Sequence, residues 1–173
     1  FCDVTGNINS TTNANSIGIS STGLIIGSNL GDLKYCTGHG NVTGVGYVGG
    51  LVGSMGTINV GDWFSTSTGI PSGATPLIYG CYFTGNVTAN ESNSWGAGII
   101  SWINTNIKAF GGGICGIALN PAEINLCVAE AIIVVAKNAG GITNSVNNVG
   151  NLKLPEDVSN NYCTGTLNET EIT

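Results

Sequence analysis

At 173 residues the chain is long enough for one domain with a sizeable core, with 42% of residues hydrophobic and only 8% charged. Its four cations are all lysine, arginine is absent, and ten carboxylates bring the net charge to -6. That balance excludes nucleic acid and anionic membrane surfaces as partners, because phosphate binding needs clustered Lys and Arg.

No stretch reaches the roughly eighteen apolar residues of a membrane-spanning helix. The longest apolar run, 129–136, is interrupted by Glu130. No signal peptide precedes the first repeat phrase, which reads as a mature chain or one cut from something longer. The many glycines, interleaved with Asn, Ser, Thr and β-branched residues, predict short strands between many turns.

Two phrases recur along the chain. Cys2-Asp3-Val4-Thr5-Gly6-Asn7-Ile8 opens it, and after an unpatterned stretch at 9–22 comes a glycine phrase, Gly23-Leu24-Ile25-Ile26-Gly27. Cys36-Thr37-Gly38-His39-Gly40-Asn41-Val42 and Gly49-Gly50-Leu51-Val52-Gly53 repeat the pair. An insertion at about 55–80, with Pro71, Pro76 and Trp63, delays Cys81-Tyr82-Phe83-Thr84-Gly85-Asn86-Val87. Two glycine phrases then follow one another, Ala97-Gly98-Ile99-Ile100-Ser101 and Gly112-Gly113-Ile114-Cys115-Gly116. Cys127-Val128-Ala129-Glu130-Ala131-Ile132-Ile133, Gly140-Gly141-Ile142-Thr143-Asn144, an insertion at 145–162 and Cys163-Thr164-Gly165-Thr166-Leu167-Asn168-Glu169 complete the series.

Phrase starts lie 13 residues apart from Gly23 to Cys36, from Cys36 to Gly49 and from Cys127 to Gly140. The spacing predicts a two-strand unit of roughly 26 residues, within the range of solenoid periods. A short strand cannot bury its apolar face alone, whereas copies stacked about 4.8 Å apart pair every backbone group and align like side chains. Leu51, Ile99, Ile114 and Ile142 form one expected inward column, and Val42, Val87 and Ile133 another. Asn7, Asn41 and Asn86 are placed for an Asn ladder. Residues 122–137 also suit a helix that Pro121 would open. The β-branched run Ile132-Ile133-Val134-Val135 favours a strand. The expected fold is all-β: a right-handed parallel β-solenoid (β-helix) of about five to seven rungs, one domain over 1–173, with an inserted loop region at about 55–80.

With the phrases aligned, the chain resembles the GLUG-motif repeats of bacterial cell-surface and adhesin proteins, carried by Cys81-Tyr82-Phe83-Thr84-Gly85-Asn86-Val87 and Val48-Gly49-Gly50-Leu51-Val52-Gly53. The resemblance covers about two thirds of the chain. It implies β-solenoid structure and extracellular placement, and it brings no catalytic residues.

Five of the six cysteines (Cys2, Cys36, Cys81, Cys127, Cys163) share one repeat position, and Cys115 replaces an aliphatic residue in a glycine phrase. A column of buried thiols and a set of disulfides both fit that pattern. Zinc does not: no close Cys-x-x-Cys pair exists, and only His39 is present to assist. No cofactor is implied. His39 stands where other copies have Thr5, Thr84, Thr166 and Glu130, so repeat position explains it without catalysis. Asn9, Asn41, Asn86, Asn90 and Asn168 head glycosylation sequons. Asn41, Asn86 and Asn168 share a repeat position, so regular glycan attachment and plain turn chemistry both account for them. Trp63, Phe64, Trp95, Trp102 and Tyr79 gather around the largest insertion and the irregular repeat, as sugar-stacking platforms or as packing for a loop.

These features support a non-catalytic, extracellular structural role: a cell-surface stalk or adhesin segment, or a filament subunit. It would associate end to end through open strand edges or continue a longer surface protein, since neither end shows a cap. The alternative is a carbohydrate-binding module that holds host or matrix glycans on the aromatics of the insertion. A β-helical glycosidase or lyase needs carboxylates grouped on one face, and here Asp3, Asp32, Asp62 and Asp157 are scattered in sequence. An ice-binding threonine array is broken by His39 and Glu130.

Overall fold

The computed structural model describes residues 1–11, 21–56, 75–90, 109–118, 122–135, 138–144, 157–167 and 170–172, and every regular element among them is a β-strand. None of the described residues forms a helix long and apolar enough to cross a membrane.

The chain visits four sheets in a fixed order. The first circuit runs from β1 (Cys2–Thr5) and β2 (Ile8–Asn9) in the large sheet through β3 (Ser21–Gly23), β4 (Ile26–Asn29) and β5 (Asp32–Lys34) in three smaller sheets. The second comprises β6 (Cys36–Val45), β7 (Tyr47–Gly49), β8 (Val52–Met55) and β9 (Leu77–Tyr79). The third comprises β10 (Tyr82–Asn90), β11 (Phe110–Gly112), β12 (Cys115–Ala118) and β13 (Glu123–Asn125), and the fourth β14 (Val128–Val135), β15 (Asn138–Gly140), β16 (Thr143–Asn144) and β17 (Asp157–Ser159). β18 (Tyr162–Leu167) begins a fifth, and β19 (Thr170–Ile172) turns back onto it. Each strand pairs in parallel with its counterpart one circuit away; the β18–β19 pair is antiparallel.

The fold is thus all-β with parallel sheets, as the repeat phrases predict, and residues 128–135 form a strand. The repeating unit differs from the expected one. It has four strands, not two, and successive cysteine phrases start 34, 45 and 46 residues apart, at Cys2, Cys36, Cys81 and Cys127. The missed sheet is built from three-residue strands, each with one central aliphatic: Leu33, Ile78, Ile124 and Val158. Three residues are too few for periodicity to declare itself. One of these strands, β9, lies within the expected insertion at 55–80, so that segment's end belongs to the circuit. β7 also pairs directly with β11, and the Leu51 N–H donates to Ile114 O at 3.0 Å. Ile99, expected in that column, lies with its phrase outside the described residues.

Like side chains do stack. Ile8, Val42, Val87, Ile133 and Leu167 occupy one register column, and Ile142 continues the column of Leu51 and Ile114. Val42, Val87, Ile133, Phe83, Leu51 and Ile114 are buried completely, each stabilising the fold by about 1.5–3 kcal/mol relative to exposure. The glycine phrase folds the second sheet tightly back on the third. A Cβ at Gly49 would overlap Val52 O, and would come within 2.5 Å of Gly116 N and 2.8 Å of Cys115 Cα. Only glycine tolerates that approach.

Each circuit after the first enters the large sheet through the same left-handed corner: Tyr35 (φ 55°), Gly80 (φ 61°), Leu126 (φ 54°) and Asn160 (φ 55°). Such a conformation costs a branched or bulky residue about 1–2 kcal/mol. Leu126 nevertheless leaves half its surface exposed. At the other end of the large sheet β19 pairs antiparallel with β18, Leu167 opposite Thr170, so β19 is the edge strand there.

Three substitutions test this packing by chemical denaturation. Gly49→Ala is expected to cost about 3 kcal/mol or more, while Gly31→Ala, where a new Cβ meets nothing within 4 Å, stays within about 0.5 kcal/mol of the parent. Leu126→Gly is expected to raise stability by about 0.5–1 kcal/mol, because relief of the left-handed strain exceeds the added chain entropy.

Candidate functional site

The outward face of the large sheet carries the only extended array of polar and aromatic side chains among the described residues that share a single register. Alternation along each strand turns Cys36, Gly38 and Val42 inward and Thr37, His39, Asn41 and Thr43 outward. Stacking then generates rows across the sheet. One row runs Asp3, Thr37, Tyr82, Val128, Tyr162, and the next Thr5, His39, Thr84, Glu130, Thr164. The third runs Asn41, Asn86, Ile132, Thr166. Thr164, not Thr166, is thus the counterpart of His39.

These rows are knitted together. Thr37 Oγ1 donates to Asp3 Oδ1 at 2.8 Å, and His39 Nε2 lies 3.6 Å from the same oxygen. The His39 ring meets Tyr82 edge to face at 5.8 Å between centroids. The Tyr82 hydroxyl donates to Glu130 Oε2 at 2.8 Å, and this bond holds its pKa above the ordinary phenol value. Asp3, His39, Tyr82 and Glu130 thereby form a diagonal string over four strands. Asn7 Oδ1 accepts from both the backbone N–H and the side-chain amide of Asn41 at 2.9 Å, the first step of the expected Asn7, Asn41, Asn86 ladder. The face changes character along the stack: Ile132, Val134 and Tyr162 are exposed at the end where Asp3, Thr37 and Asn7 have given way. Hydrolytic carboxylate pairs stand within roughly 5–9.5 Å of each other. Asp3 and Glu130 are three strands apart, about 14 Å at the spacing of a parallel sheet.

On the inward side the cysteines line up, with one exception. Cys2 is in register with Cys36, the Cys36 N–H points at Cys81 Sγ at 3.5 Å, and Val128 N–H donates to Cys81 O in the step to Cys127. Cys163 is displaced. It pairs with Ala129, and Asn161 takes the place beside Cys127, accepting its N–H at 2.9 Å and donating to Ile124 O at 2.7 Å. The Thr164-Gly165 pair sets this register, on top of Glu130-Ala131. In this copy the cysteine precedes that glycine by two residues, whereas Cys36 and Cys81 precede Gly40 and Gly85 by four.

All six thiols are unbridged. A hydrogen bond to Cys36 raises the Cys2 pKa to about 11, and one from Cys127 lowers that of Cys81 to about 7. The same contact raises Cys127, and burial raises Cys115 to about 12. Among the described residues no three His, Cys, Asp or Glu side chains are grouped to hold a metal ion.

Asn9, Asn41, Asn86 and Asn90 are exposed, as a glycan acceptor must be. Asn41 and Asn86 are direct register partners, about 4.8 Å apart, so two branched glycans there would compete for one volume. Asn168 lies outside the described residues, and Thr166 holds the position expected for it in the Asn row. Trp63, Phe64, Trp95 and Trp102 also lie outside them. Sequence reasoning missed Tyr47, which packs on Phe110 at 5.5 Å, fully buried with no partner for its hydroxyl among the described residues. Burial raises its pKa. No protein-family model, curated protein or solved structure matches the chain.

The thiols make stability depend on pH in two windows. Cys81, at about 7 when folded against 9.0 for a free thiol, loses its proton first in the native state, so stability rises between those values. Cys115, raised to about 12, keeps its proton while the unfolded chain ionises, so stability falls above pH about 9. Denaturation midpoints against pH should show that maximum. Cys81→Ser should remove the rise and leave the fall.

Proposed function

We propose that the chain is a right-handed β-solenoid whose function is structural and non-catalytic: a segment of an extracellular surface stalk or adhesin, or a subunit of a filament. The observation that carries this reading is the direct stacking of equivalent residues through successive circuits, Cys2 on Cys36 and Asn86 on Asn41. A chain that visits four sheets in the same order, with parallel pairing at each return, supports a coil. Parallel crossovers are right-handed in nearly all proteins.

Four passes through all four sheets and a fifth entering strand, among the described residues, support a coil of about five rungs. Such a coil supplies length and rigidity, because each layer contacts only its neighbours. The described carboxylates of the outward face are engaged with Thr37, His39 and Tyr82, consistent with a surface kept soluble and ordered by its own side chains. The likeness to GLUG repeats supports placement at the cell surface. Partners on this reading are further copies of the same layer, from a longer chain or a second molecule. They would stack on the sheet margins, where β1, β3, β4 and β5 lie at one end of the described strands and β19, β15, β16 and β17 at the other.

Immunogold labelling with antibodies raised against the purified chain tests the proposal on intact and on permeabilised source cells. Label on intact cells, along projections or filaments, is the expected outcome. Label confined to the interior of permeabilised cells would contradict it.

A further inference from the structure

Four cysteines stacked inside the large sheet are nucleophilic groups that the structural role leaves unused. Cys2 lies opposite Cys36, and Cys81 stands between Cys36 and Cys127, one residue before the Tyr82 that pairs with Thr37 and Val128. The Cys36 and Cys81 positions also touch, with the backbone N–H of Cys36 at 3.5 Å from Cys81 Sγ. Four thiols in one line form two bridges at once only as Cys2–Cys36 and Cys81–Cys127, because a Cys36–Cys81 bridge leaves Cys2 and Cys127 without a neighbour. The Cα atoms of in-register parallel strands stand about 4.8 Å apart, inside the roughly 4.4–6.8 Å that a disulfide spans. The displacement of Cys163 bears on this too. With Asn161 beside Cys127, the stack holds an even number of thiols. Cys115 has Val52 and Thr143 as its register partners and no neighbouring thiol.

We propose that the column is two dithiol sites, Cys2–Cys36 and Cys81–Cys127, each of which closes into a disulfide between adjacent circuits when a disulfide oxidant such as oxidised glutathione is present. In each site one thiolate attacks the glutathione disulfide, forming a mixed disulfide and expelling one glutathione thiolate. The second cysteine then attacks the protein sulfur of that intermediate and expels the other. Two electrons pass from the protein dithiol to the oxidant, and the two protons end on the departing glutathione thiols. Cys2 is half-buried and open to attack, whereas Cys36, Cys81 and Cys127 are buried, so the second site reacts when neighbouring circuits part. The lowered pKa of Cys81 suits it to act first there. The bridges would fasten the first circuit to the second and the third to the fourth, leaving the contact between second and third to packing alone.

The test uses the full chain, reduced, then held with oxidised glutathione at about pH 8 in a low concentration of urea to admit the reagent. Remaining thiols are alkylated and the product is digested with chymotrypsin without reduction. Peptide mapping should find Cys2 joined to Cys36 and Cys81 joined to Cys127, with Cys115 and Cys163 alkylated. The melting temperature should rise by about 5–15 °C over the reduced protein. In Cys36→Ser the Cys81–Cys127 bridge should still form and Cys2 should remain alkylatable. A predominant Cys36–Cys81 bridge, or no bridge within either pair while circular dichroism shows the fold intact, would overturn the proposal.

Discussion

The parallel backbone ladder between successive circuits is the constraint on which everything else rests. Once a strand of the large sheet pairs in register with the one before it, each side chain is assigned to the core or to solvent. A slip of one residue would exchange the two faces completely. The register is held from both sides. Inside, Phe83, Val87 and Leu51 fill a space that Gly38 and Gly50 leave open: a Cβ on Gly38 would stand 2.5 Å from Leu51 Cδ2. Outside, Asn7 and Asn41 and the bond from Tyr82 to Glu130 tie neighbouring layers at matching positions.

Much of this was legible in the sequence, because repetition of a phrase is repetition of an environment. The pairing of Asn86 with Asn41 and of Gly112 with Gly49 follows directly from aligning phrases. The fourth sheet was not legible. Its strands are three residues long with one central aliphatic each, and the left-handed corner that precedes each later entry to the large sheet is filled by Tyr35, Gly80, Leu126 and Asn160 in turn. Glycine or asparagine alone would have marked a corner; tyrosine and leucine conceal it. The lone aliphatic three residues before Cys36, Cys81 and Cys127 was the available signal.

The outward face was harder still. Its rows are composed of residues far apart in the chain, and their chemistry changes from layer to layer while the inward column of Ile8, Val42, Val87, Ile133 and Leu167 stays aliphatic. The diagonal from Asp3 through His39 and Tyr82 to Glu130 uses a different residue type at every step, so no repeat alignment announces it. The cysteine series misled for a related reason. Cys163 continues it by eye, but Thr164-Gly165 sets the pairing, because its glycine sits against the backbone of Ala131 where a side chain could not. Backbone sterics outrank the match of one side chain.

The central claim is that residues at one repeat position ascend the molecule in equal steps. Paired non-thiol spin labels measure this directly, with one label fixed at Thr5 and the other moved in turn to Thr84, Glu130 and Thr164. Dipolar distances that lengthen by one strand spacing for each strand crossed, reaching about 19 Å between the backbones of Thr5 and Thr164, are the expected result. Distances that fail to increase in that order would show that the circuits do not stack, and would contradict the account at its base.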